Sequence, residues 1–522
     1  MRLKALLCLI VFIASFPPAL AGTSVNSRSR TDGGDRDLAR HILNRLAYGP
    51  RPGDIDRVAA MGVDAYIEQQ LDPTAMPMPE PLQGLIERSP ALNLTPAQLF
   101  LKYGKQTVMA AQGIAPNGKR TGQKADARTI AEREELQKKI RENFRLMYGQ
   151  ITDARLMRAV YSPRQLEEVM TEFWFNHFNI SFDKGLDHLW TGAYEQTAIR
   201  PHALGRFRDL LDSTSHHAAM QFYLDNWQNT GDGARKRGKF AGINENYARE
   251  LMELHTMGVD GGYSQADVVS LARILTGHGM QNRQSVRRNG FSTGLESPTG
   301  YFFDAGRHDN SDKLFLGRTI KGQGAKELEE ALDILAAHPS TARFVSYKLA
   351  QYFVSDEPDS KLVDSVAATY KKSGGDIKAM LRVIFKSSQF LDKSNKGAKF
   401  KTPYRFMISS LRATNATIAN TKPLLGFLRM QGMPLYQCLT PDGYKYTEKA
   451  WLNPGGLLQR IDFASALGSG HFRAARPREL EAGTIADIVG VRSGSTTMST
   501  VDGAPPELSV ALLLGSPEFM KY

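Results

Sequence analysis

Cysteine is almost absent from this chain. Of the two in 522 residues, Cys8 and Cys438, the first lies in a segment with the three parts of an export leader. Arg2 and Lys4 form a positive start, residues 5–16 are almost wholly apolar, and Ala19-Leu20-Ala21 is a small-x-small cleavage signal before Gly22. Once residues 1–21 are removed, Cys438 is the sole thiol, which excludes an internal disulfide and a cysteine-based metal site. Long apolar runs are lacking as well. The leader's run is about a dozen residues, against roughly 20 for a membrane-spanning helix, and no later stretch approaches that length. No Cys stands at the cleavage point and no twin-Arg pair precedes it, so the expectation is an unanchored protein exported unfolded to the periplasm or beyond. Also missing are a Gly-rich loop with phosphate-cradle spacing, a Gly-x-Ser-x-Gly elbow and a His-Glu-x-x-His pair, which removes three common hydrolase chemistries.

Charge is present but not concentrated. Lys and Arg number 66 against 54 Asp and Glu, a formal net charge of +12, of which the leader supplies two. The local basic stretches at 119–128 and 235–239 lack interleaved aromatics and read as solvated loops, so no nucleic-acid partner is expected.

Helical periodicity dominates the rest, and the expected fold is all-α, a large multi-helix globular domain with long irregular loops and one small hairpin. Two short helices at 41–46 and 55–71 flank the turn Gly49-Pro50-Arg51-Pro52-Gly53, with Asp54 as an N-cap. Residues 73–93 are Pro-rich and irregular, and a charged helix spans about 128–150. Ser162-Pro163 signals the start of a helix through 165–176. Further helices are expected at 200–212, 244–257, 264–275, 325–336, 340–354, 359–372, 376–386, 401–415, 422–429 and 508–514, with Gly258 and Gly277 placed as C-terminal caps. Residues 285–318 read as a long loop holding the hairpin, which ends at Phe315-Leu316-Gly317. This divides the chain into a leader (1–21), an N-terminal helical region (22–112), an exposed polar loop (113–127), a main helical domain (128–480) and a Ser/Thr/Gly-rich segment with a terminal helix (481–522).

Several blocks together resemble a known family. They are His41-Ile-Leu-Asn-Arg-Leu-Ala-Tyr-Gly-Pro50, Glu172-Phe-Trp-Phe-Asn-His-Phe-Asn179, Asn246-Tyr-Ala-Arg-Glu-Leu-Met-Glu-Leu-His-Thr-Met-Gly258, Gly306-Arg-His-Asp309, Trp451-Leu-Asn-Pro-Gly455 and Leu512-Leu-Leu-Gly-Ser-Pro-Glu-Phe519. The combination is similar to the bacterial domain-of-unknown-function family 1800 over nearly the whole chain after the leader. The resemblance implies export and supplies no reaction. It also implies a partner, an exported protein of domain-of-unknown-function family 1501, which resembles the alkaline phosphatase and sulfatase superfamily. Two positions depart from the pattern: His278 stands where the family usually has Trp, and Arg405 where Glu is common.

The candidate chemistry lies in three of these blocks. On the 244–257 helix, Asn246, Glu250 and Glu253 share a face at i, i+4, i+7, a spacing that suits a divalent cation or an acid–base pair. His255 points about 180° away and joins them only if the last turn unwinds. On the 165–176 helix, Glu168, Glu172 and Asn176 line one side, and Met170, Phe173, Trp174 and His177 another. Both helices lack the Glu-x-x-His step, which argues against a carboxylate-bridged di-metal bundle. The loop Asp304-Ala-Gly-Arg-His-Asp309 gathers Asp304, His308 and Asp309, a candidate divalent-metal set, with Lys313 nearby to hold a substrate anion.

Two readings follow. In the first, the protein is an envelope enzyme using acid–base or metal-assisted hydrolysis, with Glu172, His177, Glu250, Glu253, His308 and Asp309 as catalytic candidates and Asn176, Asn246, Arg249 and Lys313 contacting substrate. In the second it is a non-catalytic binding or assembly partner, and Asn246, Arg249, Glu250 and Glu253 form a buried network that fixes helix packing.

Overall fold

A computed structural model describes residues 32–104, 127–232, 242–280 and 297–522. The leader, residues 113–126 of the polar loop, the basic residues 119–126 and 235–239, and residues 285–296 of the long loop fall outside this description.

The fold is all-α. Among the described residues, β structure is limited to three two-stranded antiparallel ladders and two isolated bridges, and no helix is long and apolar enough to cross a membrane. One of the ladders is the expected hairpin: Lys313–Phe315 pairs with Arg318–Ile320, so Leu316-Gly317 is its turn rather than its end. Leu316 and Gly317 both have positive φ, which matches the right-handed twist of the flanking strands.

The helix Gln165–His177 runs through the middle of the molecule, and every residue of it except Glu167 is buried. Its sequence is apolar on more than one side, as a helix enclosed by neighbours must be. Helices Asp32–Leu46, Val63–Leu71 and Ala127–Tyr161 pack against it. Ala127–Tyr161 also packs against Pro403–Ala413, whose residues are all buried. Apolar side chains from Ala39 to Met520 join in one hydrophobic core. The end of the chain is tied back by a backbone zip, with Tyr522 N donating to Lys399 O at 2.9 Å and Lys401 N to Met520 O at 2.9 Å.

Some helix ends differ from the sequence expectation. The charged helix continues beyond 150 to Tyr161. The central helix begins at Gln165, because Ser162 caps the turn before it by accepting from Arg164 N at 3.1 Å. Asp54 is the first residue of its helix rather than the cap and accepts from Arg51 N at 3.0 Å. The 244–257 helix is shorter, Asn246–Glu253. Its last turn widens, with His255 N reaching back to Glu250 O at 3.1 Å and Met257 N to Met252 O at 2.8 Å. Gly258, at φ 84°, ends that turn.

Candidate active site

The sequence candidates divide into separate places. On Asn246–Glu253, Asn246 is exposed and its amide donates to Leu224 O at 3.1 Å. Arg249 is spread between Glu245 at 3.0 Å and Glu253 at 3.4 Å. These residues with Glu250 occupy a partly solvated face, so the buried packing network expected for them is not formed. Glu250 is half-buried, and burial followed by the charges of Glu253 and Asp442 raises its pKa.

The loop candidates diverge. Asp304 turns its carboxylate to Gly306 N at 3.1 Å, and Asp309 pairs with Arg273 at 2.7 Å. His308 points inward between Thr276 O at 2.7 Å and Glu327 Oε1 at 2.9 Å. Lys313 is buried on the same carboxylate, 2.5 Å from Glu327 Oε2, and donates to Asp309 O as well. Asp304 is held within its own loop, Asp309 by Arg273, and His308 and Lys313 by Glu327 of the helix Lys326–Ala337, so the side chains of the set turn to different partners rather than to one point. Among the described residues, the His/Asp/Glu trio whose ligand atoms gather within 4.8 Å is instead Asp212, His216 and Glu329. Arg208 already occupies it, 3.3 Å from Asp212 and 2.8 Å from Glu329.

On the central helix, His177 donates through Nε2 to His255 O, 3.0 Å away, with Phe173, Trp174 and Phe178 around the ring. Burial holds its pKa well below the ordinary imidazole value. It is a core histidine in this arrangement, apart from Glu172.

Glu172 is the candidate that meets a cavity. Arg155, Glu172, Phe175, Asn176, Asn179 and Tyr404 line one side of a space of about 30 Å³, and Met433, Leu435, Tyr436, Cys438 and Tyr444 close the other. A space of that size holds one or two waters. Glu172 Oε2 accepts from Tyr352 Oη at 2.6 Å. Burial raises the Glu172 pKa, and the Tyr352 hydrogen bond with the charges of Arg155 and Arg405 only partly offsets it. The neighbouring carboxylate is tuned the other way. Glu195 is also fully enclosed, but Arg155, Arg200 and the Tyr436 hydroxyl at 2.7 Å outweigh its burial and hold its pKa down at about 2. Arg200 in turn grips Glu168 with two bonds of 2.8 and 2.9 Å.

The result is a protonatable carboxyl beside a guanidinium that stays charged. Arg155 sits over the rings of Phe175 at 5.5 Å, Tyr404 at 5.9 Å and Tyr436 at 5.3 Å. The Tyr404 hydroxyl is buried with no hydrogen-bond partner of good geometry and belongs to the cavity lining. A buried orphan donor of this kind costs about 1–3 kcal/mol unless a bound group or water takes it up.

A family model described as a protein of unknown function (DUF1800) matches residues 41–521. The chain belongs to the DUF1800 family. No curated protein and no solved structure matches it. What distinguishes this DUF1800 chain at the cavity is therefore read from its own side chains. Asn176, expected to touch substrate, instead clamps the cavity's cover: its amide donates to Tyr444 O at 2.8 Å and accepts from Tyr444 N at 2.7 Å. Asn179 adds a bond to the same cover, its amide donating to Thr440 O at 2.8 Å. The sequence reading missed Arg155, Glu195, Tyr404 and Tyr436. Arg155 carried little signal, since Asp153 and Arg158 place charges on either side of it in the same helix. Tyr404 and Tyr436 carried none.

Proposed function

We propose that this protein is an exported enzyme that hydrolyses an anionic ester or a charged envelope polymer by general acid catalysis, with Glu172 as the acid. The observation that carries the reading is the contrast between Glu172 in the cavity wall, whose pKa burial raises, and Glu195 on the far side of Arg155, whose charge is fixed by Arg155 and Arg200. Carboxyls pushed apart in this way are suited to different tasks. Glu172 would protonate the leaving oxygen while Arg155 and the Tyr404 hydroxyl hold the charge that develops opposite it. The cavity admits only water-sized groups, so a substrate enters with displacement of the 433–444 cover. In this reading the leader carries the chain out of the cytoplasm, and an exported family 1501 protein is its proposed partner.

The test is turnover of chromogenic phosphate, sulfate and uronate esters by the mature protein and by Glu172→Gln. Glutamine keeps an acceptor for Tyr352 and removes the proton. Removing a general acid costs roughly 10²–10⁴ in rate. A loss of that order with unchanged circular dichroism supports the assignment, and equal turnover by both proteins would sink it.

A further inference from the structure

The helix Asp32–Leu46 carries a polar stripe on one side. Asp37, Arg40, His41 and Asn44 stand at i, i+3, i+4 and i+7 and so share one face. That face is a wall of a cleft of about 720 Å³, far larger than the Glu172 cavity. Asp487, Val489 and Arg492, at the end of the helix Ala482–Val489 and just beyond it, form a second wall, with Lys396 and Lys521 beside them. The cleft is open to solvent, since Asp37, Gly397, Arg492 and Glu518 in its lining are exposed. A space of this size accommodates a small-molecule ligand or a segment of polymer.

Its frame is held by charges that satisfy one another. Arg40 ties the walls together, donating to Asp487 O at 2.8 Å and pairing with Asp487 Oδ1 at 3.1 Å and with Asp37. Arg36 also grips Asp487, at 2.7 Å. Glu518 accepts from Thr497 Oγ1 at 2.9 Å, and Lys521 lies 3.4 Å from Glu448. Other groups of the lining are left over. The side chains of Lys396, Arg492 and Asn44 have no hydrogen-bond or ion-pair partner among the described residues. His41 donates through Nε2 to Phe390 O at 2.9 Å. Burial, Arg45 and Lys396 push its pKa down to about 3, so the ring is neutral and Nδ1 is a bare acceptor.

Unspent cations beside an amide and a bare acceptor call for a ligand with sparse negative charge and many hydroxyls. The carboxylates in the same walls, Asp37, Asp487 and Glu518, narrow the choice. They repel a densely charged chain such as nucleic acid or polyphosphate, yet each accepts a hydroxyl. We propose that the cleft binds a segment of an acidic polysaccharide, with sugar carboxylates paired to Lys396 and Arg492 and sugar hydroxyls bonded to His41 Nδ1, Asn44 and Asp37. None of the residues lining this cleft lines the Glu172 cavity, and the binding stands without the catalytic reading.

Titration calorimetry of the full-length mature protein with short oligomers of galacturonate, mannuronate and glucuronate tests this. At least one of them should bind saturably, one segment per molecule. Its methyl ester keeps the hydroxyls and loses the charge, and should bind about ten-fold more weakly or worse. Lys396→Ala and Arg492→Ala should each weaken the uronate by about the same factor, because each removes a charge-assisted bond. Neither side chain makes an internal bond, so both variants should fold. Asn44→Ala should also weaken binding, which attraction to charge alone would not produce. No binding of any of these oligomers, or binding that Lys396→Ala and Arg492→Ala leave intact, would overturn the proposal. Tighter binding of dextran sulfate or polyphosphate would overturn it too, since the cleft would then read charge density. Turnover is not measured, so failure here leaves the Glu172 reading where it stood, and Glu172→Gln should bind like the wild type.

Discussion

Asp187 and Glu195 show how far one buried carboxyl can differ from another. Glu195 is surrounded by three guanidinium groups, of Arg155, Arg200 and Arg158, and a phenol, and its charge is compensated. Asp187 is equally enclosed, yet neither of its carboxylate oxygens has a hydrogen-bond partner. Burial raises its pKa well above the ordinary value; Lys184 works against that and Asp225 with it. The sign of the consequence is fixed. The folded state keeps a proton that the unfolded chain gives up near pH 4, so folding is opposed increasingly as pH rises above that value. Asp187→Asn removes the ionisation at nearly constant shape. It should raise stability at neutral pH by about 1–3 kcal/mol, and the gain should vanish below about pH 4. Urea melts of both proteins at pH 7 and pH 4 measure this, and a destabilised variant at pH 7 would mean that Asp187 is a paired carboxylate.

At the scale of elements, the fold was legible wherever period and punctuation agreed. The capping box at Ser264 and Asp267, the helices through 326–385 and the positive-φ glycines 258 and 277 follow from local chemistry. Glu172 was legible as a polar residue inside an aromatic helix. Its partners were not, because the cover of the cavity is the irregular stretch between Met430 and Glu448, which has no period to read. That stretch is positioned by tertiary hydrogen bonds: Asn176 and Asn179 from the central helix and just beyond it, Tyr223 Oη to Leu439 O at 2.9 Å, and Phe182 N to Tyr436 O at 2.8 Å. Trp451-Leu-Asn-Pro-Gly had a readable meaning that was missed. Asn453 caps the helix Pro454–Gly468 by accepting from Gly456 N at 2.8 Å, with Pro454 at the first position.

The cover depends on Gly443 for a reason apart from its φ of 67°. A Cβ there would stand 2.3 Å from Asn176 O, which is backbone and has little freedom to move. Gly443→Ala should therefore lift the cover and break the paired Asn176–Tyr444 bonds without unfolding the central helix. Hydrogen exchange at 433–446 should accelerate roughly ten-fold or more, as expected for loss of one or two buried hydrogen bonds. Protection at 165–177 should be unchanged. Equal exchange in the cover of both proteins would show that the clamp is not what holds it.

For the molecule as a whole, the most consequential count is of neutral histidines. Burial pushes His41, His217 and His255 down to about 3, with Arg45 adding to the effect at His41 and Lys348 at His255. His177 and His278 are lowered in the same way. Each folded-state value lies below that of the unfolded chain, near 6.5, so stability is complete above that pH and is lost as pH falls toward the folded value. By about pH 5.5 each histidine with a pKa near 3 has removed about 1.4 kcal/mol, or about 4 kcal/mol for the three, and His177 and His278 add to it. That approaches the whole stability of a typical domain, about 5–15 kcal/mol. One histidine opposes the trend: Asp212 and Glu329 raise His216 despite its burial, so it gains on acidification. The buried carboxylate network cannot act as early, since Glu195 begins to cost stability only below about 4.5 and is held to about 2. Acid should therefore unfold the protein between about pH 6 and 5, while Glu195 is still charged. Urea midpoints measured in steps from pH 7.5 to 4 should fall through that interval, and His217→Gln should shift the fall to lower pH. A midpoint that stays level down to pH 4.5 would show that the histidines are solvated or already charged in the folded state.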